Sequence, residues 1–187
     1  MRVVSGDFRG RRLKVVPGNG TRPTTDKVKE SLFNIIGPYF DGGKSLDLFA
    51  GSGGLSIEAV SRGIEQAVLI DHHYQAIKTI KENIAVTKHA EQFEVYKQEA
   101  KKALELLHKR DVKFDMVFLD PPYAQQKITE DIEKMVALDL LNDGAMIVAE
   151  TDQNAQLPDD LDSFELVRRQ DYGITVLTIY RFVKGND

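Results

Sequence analysis

Residues 46–54 read Leu-Asp-Leu-Phe-Ala-Gly-Ser-Gly-Gly, a mostly apolar run that breaks into a cluster of glycines. No other segment limits the fold as much. The apolar run is strand-like, and the glycines predict a turn that passes the chain from strand to helix. Gly51 and Gly53 leave the backbone bare, so a ligand can approach it closely. The rhythm then repeats. Expected strands at 45–49, 66–70, 93–97, 114–119 and 145–149 alternate with expected helices at 54–62, 74–87, 99–109 and 127–138. Ile77, Ile80 and Ile84 share one helix face, as do Ile128, Ile132, Met135 and Val136. Alternating βα units predict an α/β fold, a mostly parallel Rossmann-like sheet with helices on both faces. Two closing runs, 164–169 and 174–183, meet at Asp171-Tyr172-Gly173 and predict a hairpin. The sheet should therefore have seven strands, with the last one antiparallel.

Ahead of this core, residues 2–4 and 12–16 are short β-prone runs separated by Gly6 and Gly10, which predicts an N-terminal β-hairpin. Pro17-Gly18-Asn19-Gly20 reads as a loop. A helix should start near Thr24–Thr25, whose hydroxyls can cap its free N–H groups, with Asp26 in the first turn. Val28, Leu32, Ile35 and Ile36 form its apolar face, and Gly37-Pro38 should end it. A chain of 187 residues fits one domain, 1–187, with 1–23 as an arm.

The net charge of −4 hides an asymmetry. Residues 1–30 carry +5 and the remainder −9. A basic arm on an acidic body places polyanion contact at the arm. No stretch of about 18 apolar residues predicts a membrane span. The start, Met-Arg-Val-Val-Ser-Gly, lacks the apolar stretch of a signal peptide. With no cysteine there is no disulfide and no thiolate metal ligand, and the expected compartment is the cytoplasm. His72 and His73 are neighbours expected to diverge, while His89 and His108 fall at helix ends. No metal site is expected, and nothing in the chain demands a dimer, so a monomer is expected.

In an open parallel sheet, ligands sit beyond the carboxyl ends of the strands. Asp71 ends the second strand, 20 residues after Gly51, where an acid can hydrogen-bond ribose hydroxyls. The dinucleotide fingerprint is incomplete, because its third glycine is Ser56 here. Asp120-Pro121-Pro122-Tyr123 ends the fourth strand. An exocyclic amine on a base is a poor nucleophile, since its lone pair is delocalised into the ring. A carboxylate and a carbonyl that accept its two N–H bonds free that lone pair. Asp120 offers the carboxylate, Pro121 a carbonyl on a stiffened chain, and Tyr123 a flat face for an extruded base. A plain proline turn would also end a strand, but it would not call for the glycine turn beside it.

With these motifs in place, the chain resembles class I S-adenosylmethionine-dependent methyltransferases. It most resembles the RsmD family, bacterial 16S ribosomal RNA guanine-N2 methyltransferases. The resemblance spans nearly the whole chain and rests on Arg2–Leu13 (RVVSGDFRGRRL), Thr21–Asn34 (TRPTTDKVKESLFN), Leu46–Glu58 (LDLFAGSGGLSIE) and Asp120–Tyr123. It implies a class I fold and S-adenosylmethionine as cofactor, with 16S ribosomal RNA or the assembling small subunit as partner. Asp47, Phe49, Gly51, Ser52 and Gly53 would line the cofactor turn, and Asp71 would hold the ribose. Glu99 and Ala100 would lie beside the adenine, where the family often has aspartate in place of Glu99. Asp120, Pro121, Pro122 and Tyr123 would bind the target guanine. Arg9, Arg11, Arg12 and Arg22 would meet RNA phosphates.

Other readings compete. An adenine-N6 or cytosine-N4 methyltransferase uses the same amine clamp, but this chain has no spare length for a separate recognition region. A nicotinamide-dependent oxidoreductase would want the missing glycine and an evident catalytic pair. A non-catalytic RNA-binding module would have no use for Asp-Pro-Pro-Tyr.

Overall fold

A computed structural model describes residues 1–18 and 24–185. Arg22, expected to meet RNA, and the rest of 19–23 in the arm and its loop lie outside the described residues. The described elements follow the expected alternation. Helix α1 (Asp26–Ile36) is followed by β1 (Lys44–Asp47), α2 (Gly54–Ser61), β2 (Gln66–Asp71) and α3 (Tyr74–Thr87). Then come β3 (Phe93–Lys97), α4 (Ala100–Lys109), β4 (Phe114–Leu119) and α5 (Ile128–Ala137). The chain ends in β5 (Leu141–Thr151), β6 (Phe164–Asp171) and β7 (Val176–Phe182). The strands form one sheet in the order β3-β2-β1-β4-β5-β7-β6. Neighbours are parallel from β3 through β5, and β7 runs antiparallel to both β5 and β6. Strand order reverses between β1 and β4, which opens a crevice at their carboxyl ends.

Side-chain alternation splits the core into two layers. Leu46, Val68, Ile70, Val117, Leu119, Ile147 and Tyr180 face α4 and α5. Leu69, Met116, Phe118, Val148 and Ile179 face α1, α2, α3 and the N-terminal residues. By the same period of two, Asp47, Asp120 and Glu150 belong to this second face. On it, the Phe33 ring of α1 lies 6.1 Å from Phe118. Thr25 caps α1, its hydroxyl accepting the Val28 N–H at 3.2 Å.

The N-terminal hairpin expected from residues 2–4 and 12–16 forms as a short antiparallel pairing. Arg2 bridges Arg12, Val3 donates to the Arg11 carbonyl at 3.0 Å and Leu13 donates to the Met1 carbonyl at 2.9 Å. Beyond that pairing the donors turn to α2. Val4 and Ser5 donate their N–H groups to the Glu58 carboxylate at 2.8 and 3.1 Å, and Asp7 donates to the Ser61 carbonyl at 2.8 Å. The segment is thus strapped onto the end of α2. A Cβ on Gly6 (φ +91°) would sit 1.9 Å from the Ser61 carbonyl oxygen, so only glycine allows that approach. β5 also differs from expectation. It extends beyond 145–149 at both ends: Leu141 pairs with Phe114 of β4, and β7 pairs with it through Thr151.

Candidate active site

Three strand ends build the site. β1 delivers Asp47, and the chain then turns through Phe49–Gly53 into α2. The turn is pinned on both sides: Leu48 donates to the Phe118 carbonyl of β4 at 3.2 Å, and Ala50 to the Ile70 carbonyl of β2 at 2.8 Å. Gly51 (φ +57°) and Gly53 (φ +84°) take the left-handed conformations the turn needs. A Cβ at Gly51 would meet nothing within 4 Å, so open space lies over the turn. The Gly51 N–H donates to Asp71 Oδ2 at 3.0 Å, and the His73 N–H donates to Asp71 Oδ1 at 3.0 Å. These two bonds fix the Asp71 carboxylate at the end of β2 beside the turn. Gln98 donates to the Asp71 carbonyl at 3.0 Å, which brings the end of β3, Glu99 and Ala100 to the same edge. Ser52 is held from behind by Asn83, whose amide donates to the Ser52 carbonyl at 2.8 Å. The bare turn and oriented acid fit a nucleoside cofactor.

β4 delivers Asp120, followed by Pro121, Pro122 and the partly buried Tyr123. The Tyr123 hydroxyl lies 3.3 Å from the Thr175 hydroxyl. Across the sheet, Leu119 pairs with Ala149. The next residue on β5 is Glu150, so it stands beside Asp120. Glu150 is only 6% exposed and accepts the Thr24 hydroxyl at 2.9 Å. Sequence reasoning does not single out Glu150. A signal exists all the same: an acid immediately follows an apolar strand, as Asp71 and Asp120 do.

Three acids on one face perturb one another. Burial pushes the Asp47 carboxyl up to about 7, with the charges of Asp71 and Glu150 adding to the rise and the Phe49 N–H opposing it. Asp120 is held well above the usual carboxylate range by burial, by the charges of Glu150 and Asp47, and by its hydrogen bond with Glu150. Glu150 is also raised by burial, partly offset by bonds from Thr24 and Asp120. Such clustering of perturbed acids at a crevice marks a functional site.

The arginines expected to meet RNA separate in the structure. Arg9 and Arg12 are exposed. Arg11 instead donates to the Val86 and Thr87 carbonyls at 3.2 and 2.6 Å, capping α3. His72 and His73 do not diverge. They sit in a bend after β2, and their rings are 3.8 Å apart. Among the described residues, Asp71, His72 and His73 bring metal-type ligand atoms within 4.8 Å of one another, with the Asp71 oxygens already bonded to backbone N–H groups.

A seven-stranded sheet with one reversed strand is the class I methyltransferase fold, and the glycine turn after β1, the acid after β2 and Asp-Pro-Pro-Tyr after β4 stand at one end of it. The comparisons with known proteins narrow this. The family described as Conserved hypothetical protein 95 matches residues 1–181. The Bacillus subtilis protein YlbH is 48% identical over 184 residues, covering 97% of this chain and 98% of its own length. The ribosomal RNA small subunit methyltransferase D of Haemophilus influenzae is 33% identical over 182 residues, covering 97% and 93%. A solved Escherichia coli structure, yhhF, superposes with a TM-score of 0.83 at 31% identity, covering 99% of both chains. The chain belongs to this family, the ribosomal RNA small subunit methyltransferase D family.

Proposed function

We propose that the protein transfers a methyl group from S-adenosylmethionine to the exocyclic N2 of a guanine in 16S ribosomal RNA. One observation carries the reading. The open glycine turn after β1 and the Asp120–Tyr123 loop after β4 lie on adjacent strands at the same end of the sheet. A cofactor over the turn and an amine at the loop would therefore meet. Bound S-adenosylmethionine supplies an electrophilic methyl group on a sulfonium. Asp47, Phe49, Gly51, Ser52 and Gly53 line its place, Asp71 holds the ribose, and Glu99 and Ala100 flank the adenine. Asp120 and the Pro121 carbonyl accept the two N–H bonds of the amine, Pro122 stiffens the loop, and Tyr123 stacks on the base. Positioning and electrostatics do the work, with no covalent enzyme intermediate. The chain acts as one methyltransferase domain whose exposed Arg9 and Arg12 contact RNA phosphates, in the cytoplasm where ribosomes assemble.

Mapping methylated nucleosides in 16S RNA from a strain lacking the protein tests this. One N2-methylguanosine should disappear from the RNA and return on complementation. Loss of N6-methyladenosine instead would replace guanine with adenine as the target.

A further inference from the structure

Glu150 is the acid the proposed reaction has not used. It lies in the buried carboxyl-terminal stretch of β5, next to Asp120 in the β4–β5 register, and on the same sheet face. It also accepts the Thr24 hydroxyl at 2.9 Å, donated from the segment that leads into α1. Among the described residues, no lysine or arginine forms an ion pair with Asp120 or Glu150. The titratable groups facing the pair are Asp47 from β1 and, farther off, Asp71 from β2. Two carboxyl groups side by side, with Glu150 buried, Asp120 partly buried and no lysine or arginine paired with either among the described residues, cannot both ionise without a large penalty.

We infer that Glu150 and Asp120 form a carboxyl pair that holds one proton between them and accepts the proton the target amine releases. The inference rests on the proposed methyl transfer. In the resting state the pair carries one negative charge. Asp120 faces the amine, and Glu150 acts through it, as a positioning residue. When the amine nitrogen gains the methyl group it becomes positively charged. One of its N–H bonds then breaks, its electron pair stays on nitrogen, and the proton forms an O–H bond on Asp120. The pair passes from one negative charge to none. The positive charge brought by the methyl donor and the negative charge of the pair vanish together, so no net charge is left in the buried site. The proton leaves to water when product departs. The shared proton stabilises the pair's single negative charge, so the pair keeps that charge, ready to take the amine's proton, to lower pH than a lone buried Asp120 would. The Thr24 hydroxyl tunes the pair by stabilising charge on Glu150.

Two variants move the pair in opposite directions. Glu150→Gln keeps the hydrogen-bonding shape but removes the second acid, so Asp120 should ionise more readily. Thr24→Val removes the hydroxyl that favours charged Glu150, so the pair should hold its proton to higher pH. The first readout is carboxyl infrared titration of the cofactor-free protein. Wild type should show two carboxyl steps; in Glu150→Gln a single Asp120 step should replace the upper one about one pH unit or more lower, and in Thr24→Val the upper step should move higher. The second is the pH profile of single-turnover methylation. Its acid limb reports loss of the negative charge at Asp120 and should move to higher pH in both variants, by about one pH unit in Glu150→Gln, with the cofactor Kd unchanged. Titration curves and pH profiles that superimpose on wild type in both variants would overturn the inference and leave Glu150 a packing residue. The titration needs no activity. If it shifts as expected while the wild-type protein methylates no RNA, the proposed function fails and the pair stands.

Discussion

Asp47 is 2% exposed, and burial and neighbouring acids outweigh the one N–H that favours its charge. Its folded-state carboxyl binds a proton up to about 7, against 3.8 for the ordinary group. A raised acid stabilises the fold fully below its unfolded value, and that contribution is lost as pH rises through the folded value. Asp120 and Glu150 are shifted in the same direction. Stability should therefore fall between about pH 4 and 7 from these groups. Asp47→Asn keeps an oxygen for the Phe49 N–H at 3.3 Å but cannot ionise. Urea melts should find it more stable than wild type at pH 8, by roughly 1–3 kcal/mol, and nearly equal below about pH 4. Equal stability at both pH values would mean that Asp47 is not destabilised by burial. Asp71→Ala acts differently. It removes the acceptor beside the turn, and calorimetry should register cofactor binding weakened by about 1–3 kcal/mol. At this scale the motif acids are readable in the sequence because each ends an apolar run. Glu150 is harder to see, because it follows a strand with no motif around it. Only the register with Asp120 reveals its partner.

The N-terminal segment and α2 are joined by a buried charge cluster. Glu58 is fully buried and receives Arg62 Nε at 2.8 Å, Lys29 Nζ at 3.3 Å and two N–H groups from the segment. Lys29, 1% exposed, also donates to the Arg2 carbonyl. Removing one member leaves buried charges without a partner. Glu58→Ala should cost about 3–5 kcal/mol in chemical denaturation. A loss under about 1 kcal/mol would mean that water reaches the cluster. The arginines separate by element too. Arg9→Ala with Arg12→Ala should flatten the salt dependence of RNA binding, by roughly 0.7 in slope for each phosphate no longer neutralised. Arg11→Ala should leave that slope and instead destabilise α3 by about 0.3–1 kcal/mol through removal of its cap. Equal slopes for wild type and the double variant would move the RNA surface elsewhere. Helix α3, 74–87, is legible to the residue because its periodicity is local. The N-terminal hairpin is legible but stays short, because the donors of Val4, Ser5 and Asp7 pair with Glu58 and Ser61, more than 50 positions away, and no local pattern encodes that.

Across the whole molecule, the parallel sheet and its single reversed strand follow from the βα rhythm and the short turn at Asp171–Gly173, both visible in the chain, whereas the insertion of β7 between β5 and β6 does not. The gathering of Asp47, Asp71, Asp120 and Glu150 at one end of that sheet follows from parallel pairing, which places the carboxyl ends of β1, β2, β4 and β5 together. The sequence alone names three of the four and cannot say that two of them touch. The central claim is that this end of the sheet methylates an exocyclic amine held by Asp120. The most direct measurement is mass analysis of nucleosides from 16S RNA treated with purified protein and S-adenosylmethionine, run beside Asp120→Ala. The account predicts N2-methylguanosine from the wild-type protein and a loss of most turnover in Asp120→Ala, with cofactor binding retained. N6-methyladenosine as the product, or near-normal turnover by Asp120→Ala, would contradict it.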